Sequence, residues 1–374
     1  MKVRGALLRE MGLPDPYAES RPLEIAELEL EEPRAGELLV RTRAAGLCHS
    51  DLSVIDGSRP RVMPMVLGHE AAGEVAEVGP NVHEFAPGDH VVLSFVPACS
   101  ACPACAAGKG WLCGPGGAAN AAGTLLSGAR RLRDAAGTLL NHHLGVSAFC
   151  DYAVVSEHSA VKVDPALDFD VAALFGCAVL TGVGAVTNSA RVEPGESVAV
   201  FGLGGVGLAA LLGARVAGAG SIVAVDPIES KLALALELGA SEALPAGPEV
   251  VEEVRESTGG GADKVIETVG KAAVLAQAYA ATRRGGTVVT VGLPHPEQML
   301  CIPAVSLVTE ERTLRGSYLG SGLPSRDIPR LVAMYRDGRL PVDRLLSARI
   351  ALEAINEGFD ALASGEVVRQ VVVF

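Results

Sequence analysis

The sequence has no excess of basic residues and no uninterrupted apolar run of membrane length. Its 374 residues carry a formal net charge of −13, and the acidic and basic side chains are interleaved. This balance disfavours nucleic acid as a partner and mainly favours solubility. The apolar region 198–225 is interrupted by Gly, Arg and Ser, which predicts a buried α/β core and no membrane contact. Low-complexity tracts and internal repeats are also absent.

The N-terminal residues lack a basic patch followed by an apolar stretch, so we expect no secretory signal. Four of the eight cysteines crowd into residues 99–113. In a long chain without a signal, such crowding indicates a metal site more than a disulfide framework. The expected compartment is therefore the reducing cytoplasm.

Hydrophobic patterning changes near residue 178. Residues 1–45 and 66–97 carry short alternating runs punctuated by glycine, which are typical of half-buried strands in a β-rich, barrel-like half. The weakly periodic stretch 114–141 is predicted to be a long loop. Beyond residue 178, apolar strands alternate with helices, which predicts a parallel sheet covered on both faces.

The second half is predicted in more detail. Strands are expected at 197–201, 221–225, 264–267 and 287–291, and helices at 206–216 and 230–238. The apolar run 367–374 is expected to rejoin the first half. The predicted domains are residues 1–178, completed by 321–374, and residues 179–320.

The cysteine cluster has two-residue gaps that let neighbouring sulfurs point at one centre. Four thiolates from one short loop can close a tetrahedron around zinc, and no open position remains, which predicts a structural site. The alternative is ordinary buried or disulfide-bonded cysteine. The four residues are Cys99, Cys102, Cys105 and Cys113.

A glycine-rich loop follows the predicted strand 197–201 and opens a helix. Its first glycine suits a tight turn, the second allows close approach to a pyrophosphate, and the third permits close helix–strand packing. The helix N-terminus then faces the phosphate charge. The loop reads Gly202, Leu203, Gly204, Gly205, Val206, Gly207.

Asp226 ends the next predicted strand, 19 residues after Gly207. A carboxylate there accepts hydrogen bonds from ribose hydroxyls and repels a 2′-phosphate, which favours NAD over NADP. The alternative interpretation is that Asp226 is only a turn residue before Pro227. Lys231 either reaches the same ribose or is a solvated helix lysine.

Three further metal-ligand candidates lie far apart in the sequence: Cys48, His69 and Cys177. No local spacing links them, and a single buried Cys or His is more often a core residue than a metal ligand. In their motifs, however, the chain resembles the zinc-dependent alcohol dehydrogenases of the medium-chain dehydrogenase/reductase family over essentially its whole length. The matching segments are Cys48–Asp51, Gly68–Gly73, Pro87–Val91, the cysteine cluster, Gly176–Ala178, the glycine loop and Asp226. The resemblance implies an α/β fold with a barrel-like, GroES-like catalytic domain and a doubly wound Rossmann domain that binds the dinucleotide.

The resemblance also implies roles around a catalytic zinc bound by Cys48, His69 and Cys177. Two thiolates and one imidazole leave a fourth position for water or substrate. Asp51 and Glu70 would lie behind the ligands, where a carboxylate orients a zinc-bound imidazole; otherwise they are surface acids.

Further family positions concern the reaction and the cofactor. Ser50 matches the hydroxyl that accepts the alcohol proton while hydride passes to the nicotinamide. Other matches are His49 and Arg369 at the pyrophosphate, Thr181 and Val206 beside the nicotinamide, and Phe95 in the substrate-pocket wall. Phe95 and Val206 are otherwise plain core residues.

Three positions depart from the family patterns. Ser53 replaces the histidine that ends the proton relay in many relatives, so the relay ends differently here. Arg59 and Gly117 differ from the acid and the arginine of the glutathione-dependent formaldehyde dehydrogenases, which argues against that substrate.

The expected activity is therefore NAD-dependent oxidation of a primary or secondary alcohol, with two zinc ions per chain. The open alternatives are a formaldehyde dehydrogenase that uses another carrier thiol and a non-catalytic relative that only binds nucleotide. The sequence does not name the physiological alcohol. The length of 114–141 favours a homodimer over a homotetramer, by resemblance.

Overall fold

The computed structural model describes residues 1–374 and has an α/β fold. The chain divides into two compact units. Unit 1 comprises Met1–Cys177, Leu323–Val332 and Leu346–Phe374, and unit 2 comprises Ala178–Gly322 and Ala333–Leu345. Residues 321–322 and 333–345 therefore group with the second unit, whereas the sequence pattern assigned the whole of 321–374 to the first.

The strands are numbered in chain order. They are β1 (Lys2–Leu8), β2 (Leu23–Leu30), β3 (Glu37–Gly46), β4 (Met65–Val66), β5 (Ala71–Val78), β6 (His90–Leu93), β7 (Leu132–Arg133), β8 (Leu139–His142), β9 (Tyr152–Ser156), β10 (Ala160–Lys162), β11 (Ser197–Phe201), β12 (Ser221–Asp226), β13 (Glu242–Pro245), β14 (Ala262–Glu267), β15 (Thr282–Thr290), β16 (Thr313–Gly316), β17 (Leu346–Ile350) and β18 (Arg369–Val373).

The α-helices are numbered in the same way. They are α1 (Tyr17–Ser20), α2 (His49–Ile55), α3 (Pro103–Ala106), α4 (Gly114–Ala122), α5 (Phe169–Leu174), α6 (Leu180–Gly184), α7 (Gly205–Ala217), α8 (Glu229–Leu238), α9 (Val250–Ser257), α10 (Ala272–Ala281), α11 (Ala304–Thr309), α12 (Pro324–Arg336) and α13 (Ile355–Ser364).

Unit 1 contains a closed barrel and a second sheet. The barrel runs β1-β2-β7-β8-β4, and its core includes Leu7, Leu28, Val66 and Leu140. The second sheet runs β10-β6-β5-β3-β18-β17, with β9 also paired to β3. The predicted return of the C-terminal apolar run is confirmed, because β18 pairs antiparallel with β3.

The prediction of a long loop over 114–141 is wrong at its start, and also near its end, where β7 and most of β8 lie. Residues Gly114–Ala122 form helix α4, although their composition shows little helical periodicity. The Cys113 sulfur accepts the Gly116 N–H at the N-terminus, and Gly123 ends the helix in the left-handed conformation. These two caps, together with Pro115 in the first turn, stabilise a helix that has no clear apolar stripe.

Unit 2 is built on one parallel sheet with the strand order β13-β12-β11-β14-β15-β16. This is the order of a doubly wound dinucleotide-binding fold, whose ligands bind beyond the carboxyl ends of the strands where the order reverses. The reversal lies between β11 and β14, and the glycine-rich loop leaves β11 directly into α7. The predicted strands and helices of this half are confirmed.

A continuous helix, Phe169–Ala190, is long and apolar enough to cross a membrane by length and composition. The expectation that the sequence holds no apolar run of membrane length is therefore wrong for this segment. In the structure, 89% of its most apolar window is buried inside the protein, which is the environment of a core helix. Its path includes two π-helical stretches, Phe175–Val179 and Ala185–Ala190.

Candidate metal centres and dinucleotide site

The structure brings Cys48, His69 and Cys177 into one buried cluster within unit 1. One ligand atom from each residue lies within 4.8 Å of the others. Cys48 is the N-cap of α2, His69 precedes β5, and Cys177 lies in the first π-helical stretch of the long helix. π-Helical turns inside α-helices are frequent at functional sites. The three residues thus converge from distant parts of the chain.

Two glycines allow this convergence. Gly68 has a φ of +93°, and a Cβ at this position would lie 2.5 Å from the Phe149 backbone nitrogen. A Cβ on Gly176 would collide with the Leu93 carbonyl oxygen. A side chain at either position would therefore displace the residue that follows it, His69 or Cys177.

The two ring nitrogens of His69 have different surroundings. Nδ1 lies 3.1 Å from Asp51 Oδ1, while Nε2 is buried without any hydrogen-bond partner. Burial opposes protonation, but the Asp51 carboxylate holds the pKa of His69 well above its usual range. An orphaned imidazole nitrogen beside two cysteines is the donor set that zinc prefers, so the residues fit the metal.

Charged side chains surround the two cysteine sulfurs. A hydrogen bond from Cys177 holds the pKa of Cys48 well below its usual range, with further contributions from Arg369 and His69. The Arg369 guanidinium is buried, donates Nη1 to the Leu47 carbonyl at 2.8 Å, and places Nη2 3.6 Å from Glu70 Oε2. Arg369 thus contacts the cluster of Cys48, His69 and Cys177, a contact that the sequence pattern did not predict. Its predicted contact with a pyrophosphate stays a prediction.

Glu70 is packed onto a glycine of β3. A Cβ on Gly46 would lie 2.5 Å from Glu70 Oε1, and the Gly46 N–H donates to the Glu70 carbonyl at 2.8 Å. Both Glu70 and Asp51 are fully buried, so the reading of either residue as a surface acid is wrong.

The candidate reaction residues lie around the same cluster. The Cys48 thiol is 3.7 Å from Ser50 Oγ, and the Phe95 ring meets the His69 ring edge-on with centroids 5.4 Å apart. His49 is exposed at the start of α2. Ser53 Oγ donates to the His49 carbonyl at 2.7 Å within the helix, so this hydroxyl is engaged by the backbone.

His143 is a buried residue of this site that the sequence analysis missed. Its Nδ1 lies 3.1 Å from Asp51 Oδ1, and its ring meets the His69 ring at 90° with centroids 5.5 Å apart. Burial lowers the pKa of His143 despite the neighbouring carboxylate. No spacing rule connects position 143 to position 51, because a tertiary contact alone brings them together.

The four clustered cysteines form a second group whose sulfurs all lie within 4.8 Å of one another. Backbone N–H groups point at these sulfurs, from Cys99 and Gly116 to Cys113 Sγ and from Cys102 to Cys99 Sγ, at 3.3–3.4 Å. A backbone hydrogen bond from Cys105 is the largest contribution that lowers the pKa of Cys102, to about 6. Such donors stabilise thiolates, as a zinc site with four cysteine ligands requires.

In unit 2, Asp226 lies against the glycine-rich loop. Its Oδ2 accepts the Leu203 N–H at 2.7 Å and its Oδ1 accepts the Ile228 N–H at 3.0 Å. Gly202 has a φ of +91°, and a Cβ on Gly207 would collide with the Gly202 carbonyl oxygen. The first and third glycines are therefore required by the turn and by the helix packing.

Three further candidates also lie in unit 2. Lys231 is buried on α8, and its pKa is lowered by burial against an opposing contribution from Asp226. Thr181 lies in the first turn of α6, which packs closely on the start of α7. The closeness is shown at Gly182, where a Cβ would collide with the Val206 carbonyl oxygen. The structure thus brings Thr181 close to Val206, and Lys231 is not a solvated helix lysine.

Comparisons with known proteins agree with this geometry. Residues 34–165 match the family model of the alcohol dehydrogenase GroES-like domain, and residues 205–337 match that of the zinc-binding dehydrogenases. An NDMA-dependent alcohol dehydrogenase of Amycolatopsis methanolica is 40% identical over 100% of this chain and 99% of its own length.

Two solved structures are similar over 100% of this chain and 99% of their own. An alcohol dehydrogenase zinc-binding domain protein from Burkholderia ambifaria has a TM-score of 0.94 at 41% identity. Benzyl alcohol dehydrogenase from Acinetobacter calcoaceticus has a TM-score of 0.91 at 32% identity. The chain therefore belongs to the zinc-dependent alcohol dehydrogenases of the medium-chain dehydrogenase/reductase family, and it is an oxidoreductase that acts on small-molecule alcohols.

Proposed function

We propose that this chain oxidises a primary or secondary alcohol reversibly, with NAD as hydride acceptor and with a catalytic zinc held by Cys48, His69 and Cys177. The observation that carries the proposal is the buried, unpartnered Nε2 of His69 between two cysteines. Three protein ligands leave a fourth coordination position, as catalytic zinc sites require.

Zinc at this position would lower the pKa of the alcohol oxygen and, in reverse, polarise a carbonyl. The side chains around it supply the remaining functions. Ser50, whose hydroxyl lies 3.7 Å from Cys48 Sγ, would accept the alcohol proton while passing its own hydroxyl proton on to water. Asp51 holds His69 by its Nδ1, and the Arg369 cation offsets the negative charges of Glu70, Cys48 and Cys177.

We assign a second zinc to Cys99, Cys102, Cys105 and Cys113. Four cysteine ligands leave no open coordination position, so this site stabilises the fold and takes no part in the chemistry. The proposed content is therefore two zinc ions per chain. We also propose a reducing compartment such as the cytoplasm, because a long chain that uses clustered cysteines for zinc and not for disulfides is typical of one.

NAD is the proposed dinucleotide because of Asp226. Each of its oxygens accepts one backbone N–H and retains capacity for a ribose hydroxyl, while its charge opposes a 2′-phosphate. The glycine-rich loop faces the pyrophosphate through Gly202, Gly204, Gly205 and Gly207. Lys231 contacts the ribose. By resemblance, Thr181 and Val206 contact the nicotinamide, while His49 and Arg369 contribute charge at the pyrophosphate.

The proposed substrate is a small or medium, mainly apolar alcohol, since Phe95 packs edge-on against the metal ligand His69. The test is turnover of purified protein on a panel of aliphatic alcohols and benzyl alcohol. Each alcohol is assayed with NAD, NADP or NDMA as acceptor, with and without added thiols.

We expect turnover with NAD and no requirement for a thiol. A strict thiol requirement would indicate a formaldehyde dehydrogenase that acts on a thiol adduct. Turnover with NDMA but not with added NAD would overturn the proposal that NAD is the exchangeable acceptor. Nucleotide binding without any turnover would contradict the enzymatic assignment.

We further propose a homodimer formed through unit 2. Strand β16 is the last strand of its sheet, so one edge of its backbone is open to pairing. The segment before it exposes apolar side chains, with Met299 84% exposed and Val308 78% exposed. An open edge beside apolar side chains is typical of a surface that a second copy covers.

A further inference from the structure

Two buried imidazoles face the same oxygen of one carboxylate. Asp51 Oδ1 lies 3.1 Å from His69 Nδ1 and 3.1 Å from His143 Nδ1, and it also accepts the Gly68 N–H at 3.2 Å. Asp51 Oδ2 is buried and has no hydrogen-bond partner. The carboxylate is thus held by one oxygen, between the metal ligand and a second histidine that has no place in the reaction described above.

The backbone fixes His143 relative to the strand that leads to His69. The Ser147 hydroxyl accepts the His143 N–H at 2.9 Å and donates to the Val66 carbonyl at 2.8 Å. The following residues continue this connection, with Ala148 N–H to the Gly68 carbonyl at 3.0 Å and Phe149 N–H to the Leu67 carbonyl at 3.0 Å. The two imidazoles therefore belong to one rigid frame.

An isolated buried carboxylate is costly unless donors surround it, and its orientation follows those donors. Because Oδ2 has no hydrogen-bond partner, the orientation of Asp51 depends on the groups that approach Oδ1. His143 Nδ1 is the second imidazole nitrogen at Oδ1; without it, that oxygen keeps two donors, the Gly68 N–H and His69 Nδ1.

We propose that His143 is a positioning residue of the catalytic metal site, which keeps Asp51 Oδ1 against His69 Nδ1 and thereby directs His69 Nε2 to the zinc. This inference rests on the proposed zinc at Cys48, His69 and Cys177. Partners behind metal-ligating histidines typically contribute about 10–100-fold to metal affinity. His143 acts one contact further out, through the carboxylate.

The test measures release of zinc to an excess of a chromogenic chelator, not turnover. His143→Leu removes the imidazole nitrogen that lies 3.1 Å from Asp51 Oδ1 and keeps a similar apolar volume, whereas His143→Asn places an amide N–H near the position of Nδ1. His142→Leu is the matched control, because His142 is equally buried and lies next in the chain, but its Nε2 accepts the Arg131 N–H at 3.0 Å.

We expect two release phases in the wild-type protein, one for each zinc. His143→Leu should speed one phase about tenfold or more, His143→Asn should restore most of the wild-type rate, and His142→Leu should leave both phases unchanged while lowering the Tm. Cobalt placed at the catalytic site should show a shifted absorption band in His143→Leu alone.

Wild-type release rates in His143→Leu would overturn the inference, and so would equal acceleration in the leucine and asparagine variants. Acceleration of the same size in His142→Leu would show a general loosening of the segment and would also overturn it. A wild-type protein that holds zinc only at the four-cysteine cluster would overturn the proposed function itself, which is a separate result.

Discussion

Ser50 and Ser53 lie on the same short helix but in different surroundings. Ser50 Oγ is 3.7 Å from Cys48 Sγ, whereas Ser53 Oγ is bonded to the His49 carbonyl. Ser50→Ala should therefore lower kcat on the order of 10²-fold, because a positioned proton-transfer group is lost. Ser53→Ala, the matched control, should change kcat less than about twofold, since its hydroxyl only supports the helix.

Both variants are assayed at saturating NAD and alcohol, with the zinc content of the same samples determined in parallel. Near-wild-type turnover in Ser50→Ala with its zinc retained would show that the alcohol proton leaves by another path. A large effect of Ser53→Ala would reinstate position 53 as the end of the relay.

Asp226 is expected to set the preference for NAD. Asp226→Gly should weaken the use of NAD and narrow the ratio of kcat/KM between NAD and NADP, because the charge that opposes a 2′-phosphate is removed. Asp226 also accepts the Leu203 and Ile228 N–H groups, so Asp226→Asn is the better-matched variant: it removes the charge and keeps a side-chain acceptor. An unchanged cofactor ratio in both variants would contradict this role.

The sequence motifs identified the three candidate zinc ligands, but they did not identify the residues that contact those ligands from behind. Cys48, His69 and Cys177 were found through family motifs, and the structure places them together. His143 and the contact of Arg369 with Glu70 were not found. Each of these contacts joins residues that are far apart in the chain, and no local pattern marks such pairs.

At the scale of elements, the segment between α4 and β8 is attached to β3 by one buried ion pair. Arg131 forms two hydrogen bonds with the Glu37 carboxylate, at 2.9 and 3.1 Å, and Ser127 Oγ donates to the same carboxylate at 2.9 Å. Burial opposes ionisation of Glu37, but its hydrogen bonds with Arg131 outweigh burial and hold its pKa below the ordinary value of 4.5.

Glu37→Gln should lower the free energy of unfolding by about 2 kcal/mol at neutral pH, because it removes the charge from two hydrogen bonds of Arg131 and leaves Glu31, at 3.3 Å, as its remaining ionic partner. A carboxyl group with a lowered pKa in the folded state stabilises the protein above its unfolded pKa and loses this contribution as the pH falls. The difference in stability between the wild type and Glu37→Gln should therefore shrink as the pH falls below about 4.5.

The measurement is denaturant unfolding of both proteins at a series of pH values. Glu77→Gln on the exposed face of β5 is the matched control, and it should change stability by less than about 0.5 kcal/mol. A difference between the wild type and Glu37→Gln that grows as the pH falls would contradict the sign of the argument.

The elements that the sequence predicted well are those with strong periodicity. The alternation of apolar runs predicted five elements of unit 2 at their observed positions, with shifts of one or two residues at most ends. These elements are β11, β12, β14, α7 and α8. Helix α4 was missed because caps at Cys113 and Gly123 define it, and a sulfur cap is not recognisable from composition. The long apolar helix Phe169–Ala190 was missed because its glycines resemble interruptions of a pattern, although they serve close packing.

At the scale of the whole molecule, the proposed homodimer predicts a change in mass on a single substitution. Val308→Lys places a charge on the exposed apolar segment before β16, so it should convert the dimer to monomer at micromolar concentration, because burying an unpaired charge is costly. Val62→Lys, at an exposed apolar position of unit 1, is the control and should leave the mass unchanged. Gel filtration coupled to light scattering measures the mass of each variant. A dimeric Val308→Lys protein would exclude this surface as the dimer interface.

The central claim is that one of two zinc sites carries out the chemistry and the other supports the fold. The most direct measurement is alcohol turnover by the wild type, Cys177→Ser and Cys102→Ser, with zinc per chain and Tm determined on the same samples. We expect two zincs and full turnover in the wild type. Cys177→Ser should lose turnover and one zinc and keep a Tm close to that of the wild type, whereas Cys102→Ser should mainly lower the Tm, because structural zinc contributes directly to folding. Near-wild-type turnover by Cys177→Ser would contradict the account.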